Sequence, residues 1–303
     1  MAGAAVDSEA PNAYDIRRPS RAEPDEHLGA TRRPLPFPAP HTPTRDTDVN
    51  ELTRLAMEAA RSAGAVILEG FEKPHVTSMK GRRELVTDVD RASEEIIIRI
   101  ISAACPDDLI IAEETAPELA ESPRVWIVDP LDGTNNYAHG YPFFSVAIAL
   151  EEEGQLVAGV VHDPLRDETF VAETGRGASV NGQPMRVSGN ESLLESLVAT
   201  GFPYDRTDDS GNNLDNLNRF IVAVRGIRRG GSAELDLAYV ARGRLDGFWE
   251  QGLKTWDVSA GGLIVREAGG TVTNFGGDGW DHRRGDVVAT NGRIHQQMLD
   301  LIC

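Results

Sequence analysis

The amino-acid sequence predicts packed layers of helices and strands of the α+β class. Three observations lead there. Apolar residues recur at helical spacing over 52–67 and 89–101. Strand-like runs follow one another over 143–172, separated by tight-turn residues rather than by helices. Neither a G-x-G-x-x-G nor a Walker sequence is present, and strands and helices do not strictly alternate, which argues against a doubly wound nucleotide fold.

In chain order, residues 1–46 hold eight of the 17 prolines and little periodic apolar surface, so an extended or disordered tail is expected. Arg17, Arg18, Arg32 and Arg33 hint at a transit peptide, but the interspersed acids from Asp7 to Glu26 oppose that reading. From residue 47 to 192 the chain reads as an N-terminal α+β half. Its first helix places Leu52, Leu55, Ala56, Ala59, Ala63, Val66 and Ile67 on one side, with Thr47 or Asp48 to cap it and Gly70 to stop it. Val76 to Met79 reads as a short strand, and Lys80 to Glu84 as an exposed, mobile loop. A second helix spans Asp88 to Ala104, with Asp90 in its first turn, where an acid ordinarily complements the helix dipole. Leu109 to Ala112 and Trp126 to Val128 are apolar strand-like runs, the first followed by Glu113 and Glu114, the second by Asp129 and a strand-ending Pro130. Phe143 to Ala149, Leu156 to Val161 and Thr169 to Ala172 form a predicted antiparallel meander, and Asn181-Gly182 marks another hairpin. A C-terminal half over 193–303 holds helices at Leu214 to Val224, at Ala233 to Arg242, which Ser232 could cap, and from Trp256 to Ala268, with a strand at Leu245 to Trp249.

Composition narrows the function. A net charge of −18 disfavours nucleic-acid and anionic-membrane surfaces, and an anionic ligand would be repelled unless local cations reversed the field. Cys105 and Cys303 alone make neither a disulfide framework nor a zinc site, which fits a reducing compartment. No run approaches a membrane span and the N-terminus lacks signal-peptide order, so a cytoplasmic location is expected.

The chemistry concentrates in WIVDPLDGTNNYAHG, residues 126–140. Asp129, the Leu131 carbonyl and Asp132 offer three hard oxygen donors suited to Mg²⁺, and Gly133 and Thr134 offer close backbone approach and a hydroxyl for a phosphate. Taken alone, DPLDGT is equally a tight turn. Glu113 and Glu114 after one strand, and Asp257 at the start of a helix, can aim further carboxylates at the same sheet end.

LVTDVD, IAEET, WIVDPLDGTNNYAHG, GSAELDLAYVARGRLDGFWE and WDVSAGGLIVREAGG, in that order, resemble the inositol monophosphatase family of Mg²⁺-dependent, lithium-sensitive phosphatases, from about Asn50 to the C-terminus. The resemblance implies a five-layer αβαβα sandwich with the site between the two halves. It implies two or three Mg²⁺ held by Glu113, Asp129, the Leu131 carbonyl, Asp132 and Asp257, with no covalent phosphoenzyme. It places Asp90 beside Thr134, whose hydroxyl orients the attacking water, makes Glu113 part of the catalytic set, and has Gly133 and Thr134 bind phosphate. Substrate contacts fall to Asp132, Gly231, Ser232, Ala233, Glu250 and Asp257, with Ser232 standing where the family often has Thr. It also implies a flexible segment over 80–84 and a homodimer. The expected substrate is a small phosphorylated polyol or sugar, inositol 1-phosphate first. Fructose 1,6-bisphosphate, histidinol phosphate and 3'-phosphoadenosine nucleotides are alternatives, and a non-catalytic regulatory binding protein is the reading of another class. His139 and His162 are left as packed or solvated residues.

Overall fold

The computed structural model of the protein describes residues 49–73, 77–79, 85–115, 122–204 and 211–302. The expected tail over 1–46, the cap residues Thr47 and Asp48, and the loop Lys80 to Glu84 lie outside these residues. The helices are α1 (Glu51–Gly70), α2 (Asp88–Ala104), α3 (Thr134–Ala138), α4 (Leu214–Ala223), α5 (Ala233–Ala241), α6 (Ser259–Glu267) and α7 (His295–Leu299). The strands are β1 (Thr77–Met79), β2 (Leu85–Thr87), β3 (Leu109–Ala112), β4 (Arg124–Asp132), β5 (Ser145–Glu152), β6 (Gln155–Asp163) and β7 (Glu168–Glu173). They continue with β8 (Gly177–Val180), β9 (Gln183–Met185), β10 (Leu197–Thr200), β11 (Gly226–Arg228), β12 (Gly247–Gln251), β13 (Thr271–Thr273) and β14 (Asp286–Thr290).

Strands β3 to β9 form a seven-stranded sheet in chain order, parallel only between β3 and β4. Both faces are covered, so its strands read as continuous apolar runs whose alternation sorts side chains between two cores. Trp126 and Val128 of β4 join Ile67, Ile97 and Ile101 of α1 and α2. Val125 and Ile127 point the other way, into the core shared with Leu235, Leu263 and Ile264 of α5 and α6. The second sheet has the order β11-β10-β12-β14-β13, with β10 parallel to both its neighbours. Phe248 and Ala289 reach the α5 and α6 layer, whereas Trp249 and Val288 pack outward with Phe220 and Met298 of α4 and α7. Trp249 stacks on Phe220 with ring centroids 3.9 Å apart. The layers are therefore α1/α2, sheet, α5/α6, sheet, α4/α7, the αβαβα sandwich. Among the described residues no helix is long and apolar enough to cross a membrane.

Several local expectations are corrected. Helix α1 is capped by Asn50, whose side chain accepts from Thr53 N at 2.8 Å, while Glu173 takes the Asn50 N–H at 2.7 Å. Pro130 does not end its strand. β3 stops opposite Val128, and the β4–β5 register slips between Asp129 and Asp132, so Pro130 sits in a bulge on a half-paired strand where no ladder donor is needed. The last-helix pattern divides into a 3₁₀ turn, Thr255–Asp257, and α6 beginning at Ser259. Glu250 lies within β12 rather than after it. Short α3 and α7 and the strands β2, β10, β11, β13 and β14 have no counterpart in the sequence reading.

Candidate active site

The bulged end of β4 is braced from within. Leu131 N donates to Asp129 Oδ1 at 3.0 Å, and Ser93 of α2 donates its hydroxyl to the Pro130 carbonyl at 2.6 Å. The Thr134 hydroxyl, which has one proton to give, lies 2.8 Å from Asp90 Oδ1 and 3.1 Å from the Leu131 carbonyl. Asp90 is fixed in turn by a capping box: its Oδ2 accepts from Thr87 N at 2.8 Å and from the Thr87 hydroxyl at 2.5 Å. Burial raises the Asp90 carboxyl above its ordinary range, and the bonds from Thr87 and Thr134 partly offset this. The pair expected from sequence is thus in contact, and the first turn of α2 holds it.

Asp132 links the end of β4 to the start of α5. Its Oδ1 accepts from Ala233 N at 3.1 Å, and its Oδ2 accepts from Glu234 N at 2.9 Å, the Ser232 hydroxyl at 2.5 Å and the Ser145 hydroxyl at 3.2 Å. Ser232 was expected to cap α5, yet it makes no capping bond; the carboxylate from β4 caps the helix instead. A carboxylate meets two orphan N–H groups and the positive end of α5, which a hydroxyl does less well. Gly133 has φ 96°, and a Cβ there would lie 3.1 Å from the Phe143 carbonyl oxygen and 3.2 Å from that of Gly231. A bare backbone lets the 130–133 turn and the 230–232 turn meet.

Glu113 and Asp257 complete the expected acids, and both are half-buried. The Glu113 turn is held by Glu94 of α2, whose Oε2 accepts from Glu114 N at 2.9 Å. Asp257 Oδ2 accepts from Lys254 N at 2.6 Å. Asp129 is pushed well above the ordinary carboxylate range by burial and then by the fields of Glu113, Asp132, Asp257 and Glu234. Asp257 is pushed up to about 8 by burial, opposed by the Lys254 N–H, with Glu113 and Asp132 adding to the rise. Four acids from three segments therefore share one field.

Does this set fit a divalent cation? Among the described residues no three acidic or imidazole side chains are already drawn into one coordination shell. Electrostatic coupling reaches well beyond the roughly 2.1 Å of a Mg²⁺–oxygen bond, and the carboxylates here turn to N–H and O–H donors. The donor chemistry fits: hard oxygens, mutual repulsion, and partial burial, all relieved by a small dication.

Beside the acids a cavity of about 90 Å³ is lined by Asp132, Gly133, Gly231, Ser232, Ala233, Glu250 and Asp257, bringing the expected substrate residues together. Tyr204, Arg229 and Asp236 line it too, and of these Tyr204 and Asp236 are not singled out from sequence. Glu250 is raised well above its ordinary range by burial, with the Arg229 guanidinium opposing. A larger groove of about 1020 Å³, near Glu173, Arg186 and Asn291, contains none of these acids. Glu94 and Glu234 were also missed. Each had a signal: Glu94 repeats Asp90 four residues on along one buried stripe, and Glu234 is, with Asp236, one of two acids on a helix whose other residues are apolar. His162 is packed, its imidazole held 3.1 Å from the Thr169 hydroxyl and lowered by burial to about 4.

The inositol monophosphatase family model matches residues 48–303. The chain belongs to the inositol monophosphatase family. That family lies within the lithium-sensitive superfamily of Mg²⁺-dependent phosphomonoesterases, and the chain is a hydrolase of this general class with a divalent-metal-dependent mechanism. It is 45% identical over 262 residues to the Nus factor SuhB of Pseudomonas aeruginosa, covering 83% of this chain and 95% of that one. It is 44% identical over 254 residues to the inositol-1-monophosphatase of Synechocystis sp., covering 83% and 88%. The crystal structure of the extragenic suppressor protein suhB from Bartonella henselae superposes with a TM-score of 0.79 at 40% identity, covering 84% of this chain and 98% of that one.

Proposed function

We propose that the chain hydrolyses inositol 1-phosphate to inositol and phosphate, with two or three Mg²⁺ held by Glu113, Asp129, the Leu131 carbonyl, Asp132 and Asp257. The observation that carries this reading is that Asp132, Asp257 and Glu250 line one cavity with Gly231, Ser232 and Ala233, beside a buried Asp129 whose carboxyl is raised by burial and by the neighbouring Glu113, Asp132 and Asp257. When bound, such ions supply Lewis acidity and a more acidic water. The chain's own residues do the rest. The Thr134 hydroxyl donates its hydrogen bond to Asp90 and keeps its proton, so its oxygen lone pairs remain to accept from the attacking water and aim it. Gly133 and Thr134 offer backbone N–H groups to the phosphate oxygens. Gly231, Ser232 and Ala233 form the wall that meets the polyol. Glu250, with Asp132 and Asp257, accepts from its hydroxyls, and a carboxylate that accepts twice suits vicinal hydroxyls. Water attacks phosphorus in line, so no covalent intermediate is needed. Lithium sensitivity, a homodimer and a cytoplasmic location complete the reading.

The test is kcat/KM with Mg²⁺ for inositol 1-phosphate, fructose 1,6-bisphosphate, histidinol phosphate and 3'-phosphoadenosine 5'-phosphate. Inositol 1-phosphate should lead. Fructose bisphosphate in first place would reassign the substrate, and Arg229 at the cavity wall is the cation such a second phosphate needs. Absence of phosphate release from all four would sink the reading.

A second reading, a non-catalytic binding protein, is favoured by the name Nus factor borne by several relatives. Tight binding of a macromolecule by purified protein that cleaves no phosphate ester would put it first.

A further inference from the structure

Glu234 is fully buried, lies in the first turn of α5, and has no part in the scheme above. Its backbone N–H is one of the two that Asp132 caps. Its own carboxylate crosses to the next helix: Oε1 accepts from Ala260 N at 3.1 Å and Oε2 accepts from Gly261 N. Val258, at the N-cap of α6, supplies no side-chain bond, so Glu234 meets N–H groups that α6 itself leaves open. Gly261 is required by this contact. A Cβ there would stand 2.5 Å from Glu234 Oε2 and 2.6 Å from Leu237 Cβ, forcing the helices apart.

Two caps in series therefore join the acids that face each other across the site. Asp132 holds the start of α5, Glu234 holds the start of α6, and Asp257 lies two residues before Ser259, where α6 begins. We propose that Glu234 is a positioning residue that clamps α6 to α5, sets the spacing of Asp257 from Asp132, and thereby sets the affinity of the site for a divalent cation. This rests on the reading of those two acids as metal ligands.

The experiment uses the full chain and Mg²⁺ alone as probe. Calorimetric Mg²⁺ binding and Tm with EDTA are measured for wild type, Glu234→Gln and Glu234→Ala, alongside kcat at saturating Mg²⁺. Gln keeps the volume but presents an amide NH₂ to one of the two N–H donors, so the clamp loosens without a cavity. Losing a group that orients a ligand typically costs 10- to 100-fold in metal affinity, and a Mg²⁺ Kd raised by roughly that factor is expected for Glu234→Gln. Its kcat at saturating Mg²⁺ should be largely retained. An unchanged Mg²⁺ Kd in Glu234→Gln overturns the proposal, whether the Tm falls, which would leave only a helix cap, or kcat collapses, which would mean a direct part in the reaction. Should Glu234→Ala fail to fold, Glu234→Gln decides. Wild type that binds Mg²⁺ but cleaves no phosphate ester would remove the proposed function while the Kd comparison still judges Glu234. Wild type that binds no Mg²⁺ would remove both.

Discussion

The two edges of the site are built differently. On one, Asp129 is 2% exposed at the end of a core strand, and α2 braces the same turn through Ser93 and Asp90. On the other, Asp257 is half-buried on a 3₁₀ turn outside both sheets, its carboxylate bonded to the Lys254 N–H of the same turn. Side chains from elsewhere hold that turn in place. The Thr255 and Ser259 hydroxyls lie 2.9 and 3.0 Å from His282 Nδ1, and Glu234 holds the helix that follows. The β4 edge inherits the rigidity of the core, whereas the Asp257 edge depends on a few polar contacts between segments. A site so made has one preformed wall and one whose position each contact adjusts.

Breaking the preformed wall should cost most. Asp129→Asn should lower kcat/KM on the order of 10³-fold, about 4 kcal/mol of transition-state stabilisation, with circular dichroism unchanged. Near-normal turnover would remove Asp129 from the scheme. Asp257→Asn should cost less, on the order of 10²-fold as for a misplaced reacting group, and raised Mg²⁺ should recover part of it. If Asp129→Asn were rescued by Mg²⁺ just as well, the contrast between the edges would be lost.

A pH series sharpens the comparison without mutation. The Asp257 carboxyl holds its proton up to about 8 in the folded protein and loses it near 4 when unfolded, so the folded state binds more protons in between and stability falls as pH rises. His162, His282 and His295 are all lowered by burial and act oppositely, but only below their ordinary value of about 6.5. Between pH 6.5 and 8 the Tm in EDTA should therefore decline, and saturating Mg²⁺ should flatten the slope. A flat Tm in EDTA would show that burial and the neighbouring acids do not hold the Asp257 proton. The smallest effect is expected for Ser93→Ala, which deletes the bond to Pro130 and should cost roughly 1 kcal/mol in urea unfolding. A much larger loss of kcat than of stability would mean that α2 tunes the loop as well as holding it.

Much of this is legible in the amino-acid sequence. The spans of α2 and β3 were read residue for residue, because helical spacing and a turn-bounded apolar run are local signals. The acids of WIVDPLDGT stood out because Asp, Pro and Gly crowd one strand end. The trans caps were not legible. Ser232 stands just before α5 and looks like its cap, but Asp132, 101 positions from Ala233 in sequence, takes the work. Glu234 and Glu94 look like ordinary helix acids until the segments they hold are known.

Local residue patterns fix helix and strand over most of residues 49–192 and gather hard oxygen donors in a few turns, since periodicity and turn chemistry act over a handful of residues. Which N–H groups each buried carboxylate meets, and which acids share one field, depends on how distant segments pack. Those pairings join residues far apart in the chain, and burial is what makes them strong.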